Sequence, residues 1–256
     1  MRNFVHWLFS QNNSNFRIDL FDAWHFLYLF IILGGSVALA RLFCNKTAQE
    51  KERLIRLFAY LTVGLYLADF MIMPLSDSYS GISVYKLPYN ICTIMAVMVP
   101  FVQFNPKFRG IKTPVVTLSV TSSLMWMCYP GSALGGQPPF CYLIFQTFMY
   151  HGFLFCWGFL NMALGAVELD IKKIWKEFCG ILCILVWAAF GNTVYDGEHN
   201  WFFIEKSIFP FLADKIMPVM VVLSVFGSCL IVYGVYYGIS RLVHSQERSA
   251  AQHTAV

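Results

Sequence analysis

The sequence predicts an all-α fold, a polytopic transmembrane bundle of seven helices with the N-terminus outside and the C-terminus inside. Three observations carry that expectation. The 256-residue chain is 58% hydrophobic, 18% aromatic and only 12% charged, too apolar for a water-solvated domain of this length. Its apolar residues fall in windows of about 20, the length an α-helix needs to cross ~30 Å of hydrocarbon. Its basic residues are shared unevenly between alternate connections, which is the mark of membrane topology.

The windows, in order, are residues 24–43, 54–75, 82–104, 111–129, 140–167, 175–195 and 216–243. The fifth is the clearest, because residues 139–167 contain no Asp, Glu, Lys or Arg. The fourth is the weakest: residues 113–123 are rich in hydroxyls, which must bond along their own helix or to neighbours. Without it the count falls to six.

Orientation follows from the loops. Those after the first, third and fifth windows, with the C-terminal tail, carry Arg41, Lys46, Lys51, Arg53, Arg56, Lys107, Arg109, Lys112, Lys172, Lys173, Lys176, Arg241 and Arg248, thirteen in all. The other side carries five, Arg2, Arg17, Lys86, Lys206 and Lys215. Cytoplasmic loops retain the basic excess, so the formal charge of +4 is topological and implies no nucleic-acid partner. Residues 1–23 lack the unbroken apolar core and cleavage site of a secretory signal; they are expected to remain as an outer segment, with residues 1–9 lying in the interface. Residues 24–243 form the transmembrane domain and 244–256 a flexible cytoplasmic tail. No internal repeat and no separate soluble domain is visible.

Polar residues collect in one half of these helices. His25 opens the first, Asp69 lies toward the end of the second, and Asn90, Cys92 and Thr93 lie near the start of the third. Gln146 and His151 sit in the first half and middle of the fifth, and Asn192 and Tyr195 close the sixth. On the predicted topology all are on the outer side, beside a charge-free connection, residues 130–139, and an aromatic one, residues 196–203 that includes Asn200. The inner half is plainer, with Asn161 its main uncharged polar member. A polar cavity toward the outer leaflet is expected, because an intramembrane polar cluster is a functional-site hypothesis by default.

Each residue also has a purely structural reading. His25 beside Trp24 fits an interfacial residue reaching for headgroups, Asp69 fits a cap or pair at a helix end, and Asn90 fits interhelical packing glue. His151, about a dozen residues into an uncharged helix, requires a partner. The eight cysteines lie mostly within helices as small hydrophobes. Cys128 and Cys141 flank one turn and are either a disulfide or two thiols. Cys179 and Cys183 share a helix face without His or carboxylate partners, so no metal site and no cofactor is expected.

The order Phe21-Asp-Ala-Trp-His25, Leu87-Pro-Tyr-Asn-Ile-Cys92, Phe145-Gln-Thr-Phe-Met-Tyr-His-Gly152 and Asn200-Trp-Phe-Phe203, with Pro210 beyond, resembles the YwaF-type bacterial integral membrane family. The resemblance covers nearly the whole chain and implies a multi-pass protein of the bacterial cytoplasmic membrane. Distant eukaryotic relatives are similar to thiol-dependent phospholipid acyltransferases and, further away, to membrane hydrolases of fatty-acid esters that use a Thr and a His. That likeness maps a nucleophile to the Leu-Pro stretch and a base to His151. The family pattern has His where this chain has Asn90, and the reactive Cys of the acyltransferases falls at the position of Tyr89.

The resemblance and the polar half together point to a membrane-embedded lipid-modifying enzyme, an acyltransferase or esterase, with membrane lipids as partners and a phospholipid or lysophospholipid as substrate. His151, Cys92 and His25 are the candidate catalytic groups. Asn90, Thr93, Gln146, Asn192, Asn200 and Asp69 are candidate substrate contacts, Asn90 and Gln146 as oxyanion donors. A thiolate would hold the acyl group until a hydroxyl or water takes it, and Cys92 needs a histidine within reach to be reactive. Two other readings stay open: a transporter or binding protein for a small polar or lipid-like solute, against which stands the missing repeat, and a receptor-like or assembly subunit.

Overall fold

The computed structural model describes residues 17–72, 74, 86–130, 134, 138–195, 200–206 and 213–253, with side chains to residue 240. The interfacial segment expected at residues 1–9, and parts of the connections at 130–139 and 196–203, lie outside these. Among the described residues there are seven α-helices and no strand: α1 (Ala23–Phe43), α2 (Ala48–Ile72), α3 (Ile91–Phe104), α4 (Lys112–Cys128), α5 (Tyr142–Ala163), α6 (Trp175–Val194) and α7 (Met217–His253). Short 3-10 turns at Pro106–Ile111, Ile171–Lys173, Trp201–Phe203 and Asp214–Ile216 join or precede them.

Five of the seven are long and apolar enough to cross a membrane: α1, α2, α5, Ile171–Val194 (α6 with its preceding turn) and Asp214–Ser240 within the last helix. The third window contracts. It begins at Ile91, where Asn90 is the N-cap residue, because the Lys86–Asn90 stretch containing Pro88 is spent on turns. Its 14 residues cover only about 21 Å at 1.5 Å per residue. Conversely α2 starts six residues before the expected 54, because Thr47 and Glu50 form a reciprocal cap: the Thr47 N–H donates to Glu50 Oε2 at 2.9 Å and the Glu50 N–H to Thr47 Oγ1 at 3.3 Å. Such a capping box lets a charged first turn be helical. The fifth window stops at Ala163 rather than 167, since Gly165 turns the chain at φ 76°, a conformation that suits glycine.

α5 is the interior helix. Of its apolar window 67% is buried inside the protein, against 17% for α1, whose Phe26, Phe30 and Ile31 are bare and suit lipid. α4 is central too: every residue from Pro114 to Ser123 is buried, so its hydroxyls face protein. Thr117 Oγ1 donates back to the Thr113 carbonyl at 3.1 Å and lies 3.3 Å from Glu177 Oε1. Close approach of α4 to α5 depends on Gly158, where a Cβ would stand 2.6 Å from Val120 Cγ2 and 3.0 Å from the Val116 carbonyl oxygen. Lipid supplies little hydrophobic drive between helices, so small residues that permit such contact matter. All eight cysteines are free, Cys128 and Cys141 included, which decides that alternative for two thiols.

Candidate functional site

The N-terminal ends of α1, α3 and α5 and the C-terminal ends of α2, α4 and α6 meet at one end of the bundle. Between α2 and α3 the Lys86–Asn90 turn is gripped from three helices. The Lys86 carbonyl accepts from Tyr66 of α2 at 2.8 Å, the Pro88 carbonyl accepts from the Trp187 indole of α6 at 2.7 Å, and the Leu87 carbonyl accepts from Thr93 of α3 at 3.1 Å. Thr93 also donates to the Asn90 carbonyl, so its hydroxyl closes the turn and meets no imidazole. Tyr89 packs against Trp187, Tyr195 and Trp201, and its ring lies where a Cβ on Gly191 would fall.

This grip aims Lys86 inward. Its ammonium pairs with Asp69 Oδ2 at 2.5 Å and lies 3.4 Å from Gln146 Oε1. The second carboxylate oxygen of Asp69 accepts from the Tyr142 hydroxyl at 2.9 Å. Asp69 and Gln146 are almost wholly buried, and a carboxylate at such a place is tolerable only when paired and hydrogen-bonded. Thr147 Oγ1 donates to the Leu143 carbonyl at 2.6 Å and lies 3.3 Å from Gln146 Oε1, and the Thr147 carbonyl takes the Nδ1–H of His151 at 2.8 Å.

His151 is therefore held in one tautomer, Nδ1 protonated and Nε2 a lone-pair acceptor. Nε2 has no hydrogen-bond partner among the described residues. The ring lies flat on Trp126, centroids 3.9 Å apart and planes at 6°, with Tyr150 edge-on at 4.8 Å. Two rings thus fix its plane, and among the described residues only Nδ1 is hydrogen-bonded. His25 differs: Nδ1 accepts from the Phe21 N–H at 3.0 Å, so Nε2–H donates to the Met127 carbonyl at 2.7 Å. Both its nitrogens are used, one to hold Phe21 at φ 63° and one to tie α1 to the end of α4.

Cys92 is buried. Its carbonyl accepts from the Tyr150 hydroxyl at 2.8 Å; no hydrogen bond joins its thiol to His151 or His25 among the described residues. Three asparagines organise the aromatic connection. Asn90 Oδ1 accepts from the Phe202 N–H at 3.0 Å, Asn192 Oδ1 from the Trp201 N–H at 2.9 Å, and Asn200 Oδ1 from the Glu205 and Lys206 N–H groups at 3.0 and 3.2 Å. They hold Phe202 and Phe203 at φ 58° and 53°, conformations that cost bulky residues on the order of 1–3 kcal/mol each.

The structure thus brings Asp69 and Gln146 together through Lys86, sets His151 beside them through Thr147, and sets Cys92 against His151's neighbour Tyr150. Asn90, Asn192 and Asn200 gather instead on the Trp201 connection, and His25 on the first turn of α1. Lys86, Tyr66, Tyr142, Tyr150 and Trp126 complete the site without having stood out in the sequence, the lysine because it counted only as a loop charge and the aromatics because they read as apolar filler.

No curated protein and no solved structure matches this chain. A family model, the TMEM164 family, matches residues 20–237, which takes in all seven helices except the end of α7. The chain belongs to the TMEM164 family, and its five apolar spans suit a multi-pass membrane protein.

Proposed function

We infer that this protein carries out acyl chemistry on a membrane lipid, as an acyltransferase or esterase, with His151 as the general base. The observation that carries the reading is the Nε2 atom of His151: it belongs to a buried imidazole, its tautomer set by the Thr147 carbonyl and its ring clamped by Trp126, and it has no hydrogen-bond partner among the described residues. Proton transfer by such a positioned group accelerates acyl transfer by about 10²–10⁴-fold. The base would take the proton of the attacking thiol or hydroxyl as the nucleophile bonds to the ester carbonyl carbon. It would return that proton to the departing lipid oxygen as the old C–O bond breaks.

Cys92 is the acyl carrier that the likeness to thiol-dependent acyltransferases suggests, one Tyr150 hydrogen bond away from the helix of the base. Asn90 and Gln146 engage their neighbours through their carbonyl oxygens, which leaves their NH₂ groups as donors to a developing oxyanion. The likeness to phospholipid acyltransferases supports a phospholipid or lysophospholipid as the substrate class. The basic asymmetry and the YwaF-like motifs support an orientation with this end outside a bacterial cytoplasmic membrane, the N-terminus out and the C-terminus in.

One observation favours a second reading. Among the described residues no hydrogen bond joins the Cys92 thiol to an imidazole, while Lys86 reaches both Asp69 and Gln146, as in a binding or transport protein in which these three coordinate a lipid-like solute. Labelling of the purified protein with an acyl or fluorophosphonate activity probe separates the two. Acyl chemistry requires labelling of wild type that is lost in Cys92→Ala and His151→Ala; labelling unchanged in both variants rejects it in favour of binding.

A further inference from the structure

The opposite end of the bundle holds a cavity of about 200 Å³ lined by Arg109, Gly110, Thr113, Glu168, Asp170, Lys173, Lys176 and Glu177. Glu177 is its anomaly. It lies in the first turn of α6 and is 1% exposed, yet only one carboxylate oxygen is used: Oε1 accepts from the Tyr233 hydroxyl at 2.8 Å and from Thr117 at 3.3 Å. Oε2 is buried and has no hydrogen-bond partner among the described residues. A buried carboxylate oxygen without a donor costs on the order of 1–3 kcal/mol or more, which a cationic donor in the cavity would remove.

The cations at the mouth are not equally free. Lys173 pairs with Asp170 at 3.2 Å, and Asp170 stays ionised because the Lys172 N–H, and then Lys173 itself, hold its carboxyl below the usual range. Among the described residues Lys176 bonds a backbone carbonyl, that of Gly110, at 3.2 Å, and with Arg109 it presents positive charge. The site therefore offers anion recognition at its rim and an unmet acceptor at its base. Around it Ile111, Ile171 and Trp175 are exposed apolar residues, the belt expected at headgroup depth. The volume is that of roughly seven water-sized groups, about the size of phosphoethanolamine.

We propose that this cavity binds a phosphoethanolamine group, that of a phospholipid in the leaflet at this end, with its phosphate against Arg109 and Lys176 and its primary ammonium donating to Glu177 Oε2. A choline headgroup meets the phosphate half equally but has no N–H for Glu177, and a glycerol headgroup lacks the cation. Selectivity for the primary amine is therefore the signature. This site is independent of the His151 reading, and either can fail alone.

The test is native mass spectrometry of the full-length detergent-solubilised protein with equimolar phosphatidylethanolamine, phosphatidylcholine and phosphatidylglycerol, with soluble O-phosphoethanolamine as competitor. A charge-assisted hydrogen bond implies a preference of about tenfold for the ethanolamine over the choline lipid. Glu177→Gln, which keeps Oε1 for Tyr233 and Thr117 but turns an N–H toward the ammonium, should level the two. Arg109→Ala with Lys176→Ala, both at the exposed rim, should weaken both lipids, and the soluble compound should compete. No preference in wild type, or a preference intact in Glu177→Gln, overturns the proposal; retention of soluble phosphoethanolamine without the lipid overturns its lipid source. Should Glu177→Gln fail to fold, the wild-type ratio and the rim variant decide the question alone.

Discussion

His25 and His151 are two buried imidazoles at the same end of one bundle, on either side of the Trp126 and Phe148 rings, and they are used in opposite ways. His25 spends both nitrogens on backbone, accepting from Phe21 and donating to Met127. His151 spends one on Thr147 and keeps the other. A histidine with two backbone partners is a fastener, because any proton exchange would break a bond that holds two segments together. A histidine with one partner and a clamped ring is fixed in place yet still able to accept a proton. Burial alone does not separate the two; the count of engaged nitrogens does.

That contrast can be broken in several places. The largest expected effect is on the Asp69–Lys86 pair that borders His151. Lys86→Ala leaves a buried carboxylate with only Tyr142, and breaking such a pair costs about 3–5 kcal/mol, to be read as a fall in detergent melting temperature. Asp69→Asn in the same chain should restore much of it. If Lys86→Ala melts like wild type, the pair does not support the site.

His25→Ala comes next. It removes two buried hydrogen bonds at about 1–3 kcal/mol each and releases the left-handed Phe21, so the variant should lose stability, and what remains folded should stay active in proportion. A stable His25→Ala lacking activity would erase the distinction between the two histidines. Tyr150→Phe is smaller: it frees the Cys92 carbonyl from one bond and should cost about 1–2 kcal/mol by melting. A loss of probe labelling far beyond that destabilisation would sharpen the comparison, placing Tyr150 as the residue that positions Cys92 relative to His151.

The sequence marked α1 and α6 to within about one residue, α1 beginning where Asp22 caps its first turn. It missed the charged first turn of α2, since a capping box outweighs the loop-like appearance of residues 48–53. It extended the third helix back to 82, since hydropathy does not register that the Lys86–Asn90 turns are held by Tyr66, Trp187 and Thr93. The polar residues were visible as types, but their grouping was not. Asn90, Asn192 and Asn200 converge on the Trp201 connection through backbone partners far away in the chain, and no spacing in the sequence announces that. Nothing in the sequence singles out Glu177, and only the packing of Tyr233 and Thr117 around it reveals a buried carboxylate.

The central claim is that the free Nε2 of His151 moves a proton. It is tested most directly by measuring acyl transfer to a lysophospholipid by reconstituted His151→Gln protein beside wild type, with melting temperature recorded on the same preparations. Gln keeps a polar, hydrogen-bonding side chain but cannot take up a proton near neutral pH. The account predicts melting close to wild type and turnover lower by about 10²-fold or more. Turnover equal to wild type in a protein that melts normally would contradict it.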